Sequence, residues 1–230
     1  MFYLSKIKLY IVFFAILSLG CKDNNFNFKP SEVSESRPKD DNDTDNEENS
    51  VNVGRAIWQK PGMVIDRLGD ISDKTIADIG AGTGYFSLKL AYKAKKVIAV
   101  EIEPELLLYI DSSKVKLPED KRKRIETRLA SADNPNLHAE EADIILIINT
   151  IAYIEDIPKY LMTLKKGLKM DGIIMVIDYK MKRLPINAPP KTERVYLDKL
   201  EDMFIDAGYK IIKTDDTSLD YQYILKVQKV

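Results

Sequence analysis

The stretch Ile76-Ala-Asp-Ile-Gly-Ala-Gly-Thr-Gly-Tyr-Phe86 constrains this chain more than any other. An apolar run enters three glycines, Gly80, Gly82 and Gly84, set at every second position, and an amphipathic pattern follows them. Residues without a Cβ let the main chain turn sharply from strand to helix and let a ligand approach it closely. A helix beginning near Thr83 would aim free N–H groups and its positive dipole end at that approach. In open α/β sheets, ligands sit beyond the carboxyl ends of the strands, where strand order reverses. The stretch therefore predicts a pocket for an adenosine-containing ligand.

Spacing narrows the ligand. A dinucleotide fingerprint is G-x-G-x-x-G, whereas Gly80, Ala81, Gly82 and Gly84 follow G-x-G-x-G. Asp78 precedes them, and a carboxylate there is unwelcome beside a pyrophosphate but suits a ligand with a cationic amino group. Glu101 ends the next apolar run, seventeen residues after Gly84. A carboxylate at that place can accept hydrogen bonds from both ribose hydroxyls.

The remaining periodicity predicts a doubly wound, Rossmann-like α/β sheet of about seven strands, mostly parallel with an antiparallel C-terminal edge. Strands are expected over Thr75–Ile79, Lys96–Val100, Ile125–Ala130, Ala142–Ile148 and Gly172–Asp178. Ala142–Ile148 is a continuous apolar run, as suits a central parallel strand buried on both faces. Helices are expected over Thr83–Ala94, Pro104–Ser113, Ile157–Leu168 and Arg194–Ala207, the last closed by Gly208. Ile57, Val64, Ile65 and Leu68 suit one face of an entry helix that Pro61-Gly62 interrupts or begins. Tyr209–Thr214 and Tyr221–Val227 have only turn residues between them and read as an antiparallel edge hairpin. The run Lys121-Arg-Lys-Arg124 reads as a solvated turn before a strand.

The residues of the glycine loop, Asp78 and Glu101 together resemble motif I and the following acidic motif of class I S-adenosylmethionine-dependent methyltransferases. The similarity extends over about Gly54 to Lys229 and implies the strand order 3-2-1-4-5-7-6. Ala142-Asp-Ile-Ile-Leu-Ile-Ile-Asn149 is similar to the family's fourth strand. Leu164–Asp178 is similar to its L-K-P-G-G turn and fifth strand, with Met170-Asp171 in place of Pro-Gly. The resemblance implies S-adenosyl-L-methionine as cofactor, held by Asp78, Gly80, Ala81, Gly82, Gly84, Glu101, Ile102, Asp133 and Asn149. Asp133 would meet the adenine amino group, and Asn149 would offer a backbone carbonyl. Trp58-Gln59-Lys60-Pro61 resembles an N-terminal segment that lies over the cofactor in one bacterial branch. Ala152-Tyr153 stands where relatives of that branch carry His-His. Tyr153, Asp178 and Tyr179, at strand ends, are candidates to shape the acceptor site, and no general base is nominated. His138, the only histidine, lies in an Asn/Glu-rich loop and reads as a surface residue. No group has metal-ligand spacing. The implied reaction is methyl transfer to a small-molecule acceptor.

The N-terminus carries a separate message. Lys6 and Lys8 precede an almost wholly apolar run from Leu9 to Leu19, and Leu17-Ser-Leu-Gly-Cys21 follows with the only cysteine. This is the layout of a signal peptide, and it resembles the lipobox of bacterial lipoproteins. The resemblance implies cleavage before Cys21, acylation of its sulfur and a membrane anchor in the cell envelope. The alternative is attachment at the cytoplasmic face. Residues 21–52 are rich in Asn, Asp, Glu, Ser and Pro and read as a disordered acidic tether. Residues 1–20 are then the signal peptide, and residues 53–230 the folded domain. At 230 residues the chain has room for one such domain. The formal net charge of −1 includes the acid-rich tether, so the folded part is the more basic. That basic excess is spread out and gives no nucleic-acid footprint. A second functional reading stays open: an envelope lipoprotein that keeps this fold without catalysis and binds a nucleoside-like ligand.

Overall fold

The computed structural model describes residues 54–230. The signal-peptide and tether readings fall outside the described residues, as does Cys21. Among the described residues no helix is long and apolar enough to cross a membrane.

Seven strands form one sheet: β1 (Thr75–Ile79), β2 (Lys96–Glu101), β3 (Ile125–Leu129), β4 (Ala142–Ile148), β5 (Leu168–Tyr179), β6 (Tyr209–Asp215) and β7 (Gln222–Lys229). Their order is β3-β2-β1-β4-β5-β7-β6, as the family resemblance implies. The first five run parallel, and β7 joins β5 and β6 antiparallel. The chain reverses its direction of travel across the sheet between β1 and β4, and that switch point is where the glycine loop emerges.

Alternation along the central strands splits the core in two. Ile144, Leu146 and Ile148 face α1 (Pro61–Asp66), α2 (Tyr85–Leu90) and α3 (Pro104–Ser113), where Val64, Phe86, Leu90 and Ile110 are buried. Ile145 and Ile147 face α5 (Ile157–Gly167) and α6 (Leu197–Asp206), where Leu161, Leu164, Leu200 and Phe204 are buried. A short helix, α4 (Glu119–Arg122), leads into β3.

Several boundaries differ from expectation, each for a local reason. The helix expected over Thr83–Ala94 is only Tyr85–Leu90, because Gly84 enters it in the left-handed region at φ 81°. Arg124 does not lie free in a solvated turn: its Nη1 donates to the carbonyl of Ala94 at 2.9 Å, beyond the end of α2. Ile57 is 74% exposed and so is not on the buried face with Val64 and Ile65. Lys60, left-handed at φ 49° and followed by Pro61, separates the helical residues 54–59 from α1. β5 begins at Leu168, directly after α5, and its pairing with β4 shifts register between Ala142 and Ile144. The helix expected from Arg194 starts at Leu197, and Gly208 at φ 77° ends that region.

Leu146 lies on a central strand and is fully buried. Leu146→Ala is expected to cost about 2–5 kcal/mol, measured as a lower urea midpoint at unchanged slope.

Candidate functional site

The loop leaving β1 is tied to the end of β2 by its own main chain. The N–H groups of Gly80 and Ala81 both donate to the Val100 carbonyl, at 2.9 and 3.0 Å. The Gly82 N–H donates to Glu101 Oε2 at 2.8 Å, and the Ile102 N–H to Glu101 Oε1 at 2.7 Å. The Glu101 carboxylate thus holds the loop in shape. Each carboxylate oxygen accepts more than one hydrogen bond, so capacity remains for a ligand's hydroxyls. Gly80 has φ 70°, and a Cβ there would stand 2.3 Å from Thr150 Oγ1. Gly82, at φ 57°, faces open space within 4 Å, which leaves the main chain of the loop bare to an incoming group.

Beside this loop lies a cavity of about 390 Å³. Gly80, Val100, Glu101 and Ile102 form one side, Leu106 and Ala130 another, and Thr150, Tyr153, Ile154 and Tyr160 close it. Of the residues nominated from the sequence, Gly80, Glu101 and Ile102 are on its wall. Ala81, Gly82 and Gly84 shape the loop behind them. Asp78 lies beneath the loop, 3% exposed, and accepts a hydrogen bond from Ser87 Oγ at 2.7 Å. Burial pushes its carboxyl up to about 6, against the opposing pull of that hydrogen bond and of Arg55.

Asp133 is not on this wall. It is exposed, accepts from Ser131 Oγ at 2.8 Å, and borders a neighbouring depression of about 370 Å³ that shares Ala132, Ile154 and Tyr160 with the cavity. Asn149 is also off the wall: it sits at φ 57°, and its side chain accepts from Gln222 Nε2. Tyr153 is 66% exposed at the mouth. Asp178 is 1% exposed; its Oδ1 accepts from the Tyr179 N–H at 2.7 Å, and the main-chain N–H groups of Ile151 and Ala152 also favour its charged form. Burial pushes it, too, up to about 6. His138 is exposed, and its N–H donates to Glu141.

Trp58 is half-buried against Tyr179 and Tyr221, with ring centroids 6.2 and 6.3 Å apart. Next to it runs a chain of polar groups. Arg55 Nε donates to Gln59 Oε1 at 2.5 Å, Gln59 Nε2 to Gln222 Oε1 at 2.9 Å, and Gln222 Nε2 to Asn149. Gln59 and Gln222 are fully buried. Arg55 and Gln222 carry no motif and were not nominated from the sequence. The one available signal was a glutamine set in the apolar run Tyr221-Gln-Tyr-Ile-Leu225.

A parallel sheet with an antiparallel edge, a bare glycine loop and an acid at the end of the second strand defines a class of nucleoside-cofactor enzymes. The chain belongs to the methyltransferase-domain family, whose model matches residues 70–226. The cofactor this membership implies is S-adenosylmethionine. The exposed loop main chain at Gly82 and the carboxylate of Glu101 on the cavity wall fit a nucleoside ligand.

The fold is similar to that of a SAM-dependent methyltransferase from Aquifex aeolicus, with TM-score 0.71 and 22% identity over 76% of this chain and 93% of that one. It is also similar to that of an S-adenosylmethionine-dependent methyltransferase from Mesorhizobium loti, with TM-score 0.61 and 14% identity over 76% and 98% of the two chains. Among curated proteins, 118 residues are 28% identical to the ribosomal RNA small subunit methyltransferase A of Leuconostoc citreum. That match spans 50% of this chain and 39% of the relative.

The buried acid gives a test with a defined sign. The folded pKa of Asp78 lies above the ordinary 3.8, so folding binds the proton more tightly and stability falls as pH rises from about 4 to about 6. Asp78→Asn removes that cost. It is expected to raise the melting temperature at pH 7.5, by an amount equivalent to at most about 3 kcal/mol, with the gain shrinking toward pH 4. The same variant is expected to weaken S-adenosylmethionine binding about tenfold or more by calorimetry, as removal of the negative charge beneath the loop should.

Proposed function

We propose that this protein is an active S-adenosylmethionine-dependent methyltransferase acting on a small-molecule acceptor, with the cofactor held in the cavity beside the glycine loop. The observation that carries this reading is Glu101, 7% exposed, on the cavity wall and bonded to the Gly82 N–H. Glu101 would take the ribose hydroxyls, Ile102 and Leu106 would supply apolar cover for the base, and the loop main chain would face the methionine moiety. Asp78 would act from below, through the loop and by its charge. When bound, S-adenosylmethionine supplies an already activated electrophilic methyl group, so the chain's task is alignment and exclusion of water. Tyr153 and Ile154 would shape the acceptor's approach at the mouth of the cavity.

The electrostatics of the rim support a small acceptor over a polyanion. Glu101 and Glu103 are on the cavity wall, and Asp133, Glu155 and Asp156 border the adjoining depression with Lys159 as its only basic residue. Phosphates brought to that rim would meet carboxylates. The N-terminal lipobox resemblance supports attachment of the domain to the cell envelope through Cys21. Metabolic labelling with palmitate is expected to mark the wild-type protein and not Cys21→Ser.

Calorimetry on the full chain is expected to give micromolar binding of S-adenosylmethionine and S-adenosylhomocysteine, none of NAD, and at least a tenfold loss with Glu101→Ala. Absence of binding by the wild type would overturn the reading. Incubation of cell extract with methyl-labelled cofactor is expected to label the small-molecule fraction. Label confined to RNA would overturn the choice of acceptor class.

A further inference from the structure

The methionine end of S-adenosylmethionine carries an ammonium and a carboxylate on one carbon, beside a sulfonium. Asp78, beneath the loop, suits the positive groups, and both it and Glu101 repel the negative one. A cation facing the loop offsets that repulsion and lets the site hold the whole zwitterion. Resting on the cofactor reading above, we propose that Arg55 is this cation, that it binds the cofactor's α-carboxylate, and that the buried amides of Gln59 and Gln222 hold it in place to do so.

Three observations support this. The first is position. The Arg55 guanidinium carbon lies 4.5 Å from the ring centroid of Tyr85 and 5.7 Å from that of Phe86, the two residues that follow Gly84. Its charge also acts on Asp78 beneath the loop.

The second is unused bonding capacity. A guanidinium has five N–H donors in a rigid fork. Among the described residues only Nε is engaged, by Gln59, and no carboxylate lies within ion-pairing distance. The two terminal amino groups, which form the face that pairs with a carboxylate in bidentate fashion, are left for a ligand.

The third is the brace. Gln222 donates to Asn149 and accepts from the Gln59 amino group. That fixes the Gln59 amide so that its carbonyl oxygen is turned to Arg55 Nε. The amide nitrogen and the amide oxygen of both Gln59 and Gln222 each have a partner, as buried amides require. The result is a guanidinium oriented by its inner nitrogen, with its outer edge free. Arg55 is thus a binding residue, and Gln59 and Gln222 are positioning residues.

Lys89 is the rival cation, because its Nζ lies 4.2 Å from the Tyr85 centroid. The experiment removes the carboxylate from the ligand as well as the cation from the protein. Calorimetry is run with S-adenosylhomocysteine and with its decarboxylated analogue, on the full chain and on Arg55→Gln, Arg55→Lys and Lys89→Ala. The wild type is expected to prefer S-adenosylhomocysteine by roughly 10- to 100-fold, the scale of a charged hydrogen-bonded contact. Arg55→Gln is expected to lose that preference while binding the decarboxylated analogue unchanged, and Arg55→Lys to keep part of it.

Equal loss for both ligands in Arg55→Gln, an undiminished preference, or a preference erased by Lys89→Ala would each overturn the proposal. Should Arg55→Gln melt too low to assay, Arg55→Lys decides by itself, since a purely structural role predicts no change in the ratio of the two affinities. Failure of the wild type to bind S-adenosylhomocysteine at all would overturn the cofactor reading, and this one with it.

Discussion

The main chain at Gly80 and the side chain of Thr150 share a space too small for one more methyl group. A Cβ on Gly80 would lie 2.9 Å from Thr150 Cβ and closer still to its hydroxyl. That contact joins the ends of β1 and β4, the neighbours between which the crossovers change direction. The positive φ at Gly80 and the absence of room make the same demand, and only glycine meets both. Because the loop is pinned to β4 on one side, its N–H groups reach Val100 and Glu101 on the other. The cavity is what remains between these two attachments. Thr150 keeps its position through its own hydrogen bond to the Ile148 carbonyl, so the contact is set by strand geometry and not by a flexible side chain.

Around this point the molecule accepts local costs that the sheet offsets. Asp78 and Asp178 are carboxyl groups with 3% and 1% of their surface exposed, and burial raises the pKa of both. Neither has an ion-pair partner among the described residues. Asn149 and Lys60 are non-glycine residues in the left-handed region. Such features cluster at sites where geometry outranks stability. The strands beneath are the opposite case: from Ile144 to Ile148 every side chain is buried and aliphatic, divided between two cores.

The strands were legible because the physics behind them is local, whereas their order followed from the family resemblance. A parallel strand covered on both faces is a continuous apolar run, and Ala142–Ile148 reads that way. Two strands with only turn residues between them must be antiparallel, and β6 and β7 are. The glycine loop and Glu101 were legible because glycine spacing and an acid at a strand end report backbone needs directly. Helix boundaries were less so. Nothing in Thr83–Ala94 breaks an apolar period, yet the left-handed Gly84 delays the helix to Tyr85. Asp133 and Asn149 were nominated through the family resemblance, Asn149 for its backbone carbonyl. Strand position fixes where the main chain goes but not where a side chain turns: the Asp133 carboxylate is exposed beside Ser131, and the Asn149 amide is bonded to Gln222. Arg55, Gln59 and Gln222 are joined across 163 residues of sequence, and no periodicity records a contact of that kind.

The Glu101 carboxylate shows how one group serves both folding and binding. It accepts from the Gly82 and Ile102 N–H groups. These bonds hold the loop in the conformation that leaves its main chain open, and a loop held in its binding shape needs little ordering on association. A carboxylate can do this because its two oxygens offer about four acceptor sites, and Oε2, which accepts only from Gly82, keeps one for an incoming hydroxyl. A primary amide has one acceptor oxygen and would point an N–H₂ group at one of those two main-chain donors. The acid at the end of β2 is thus required twice, first to build the loop and then to receive what the loop admits.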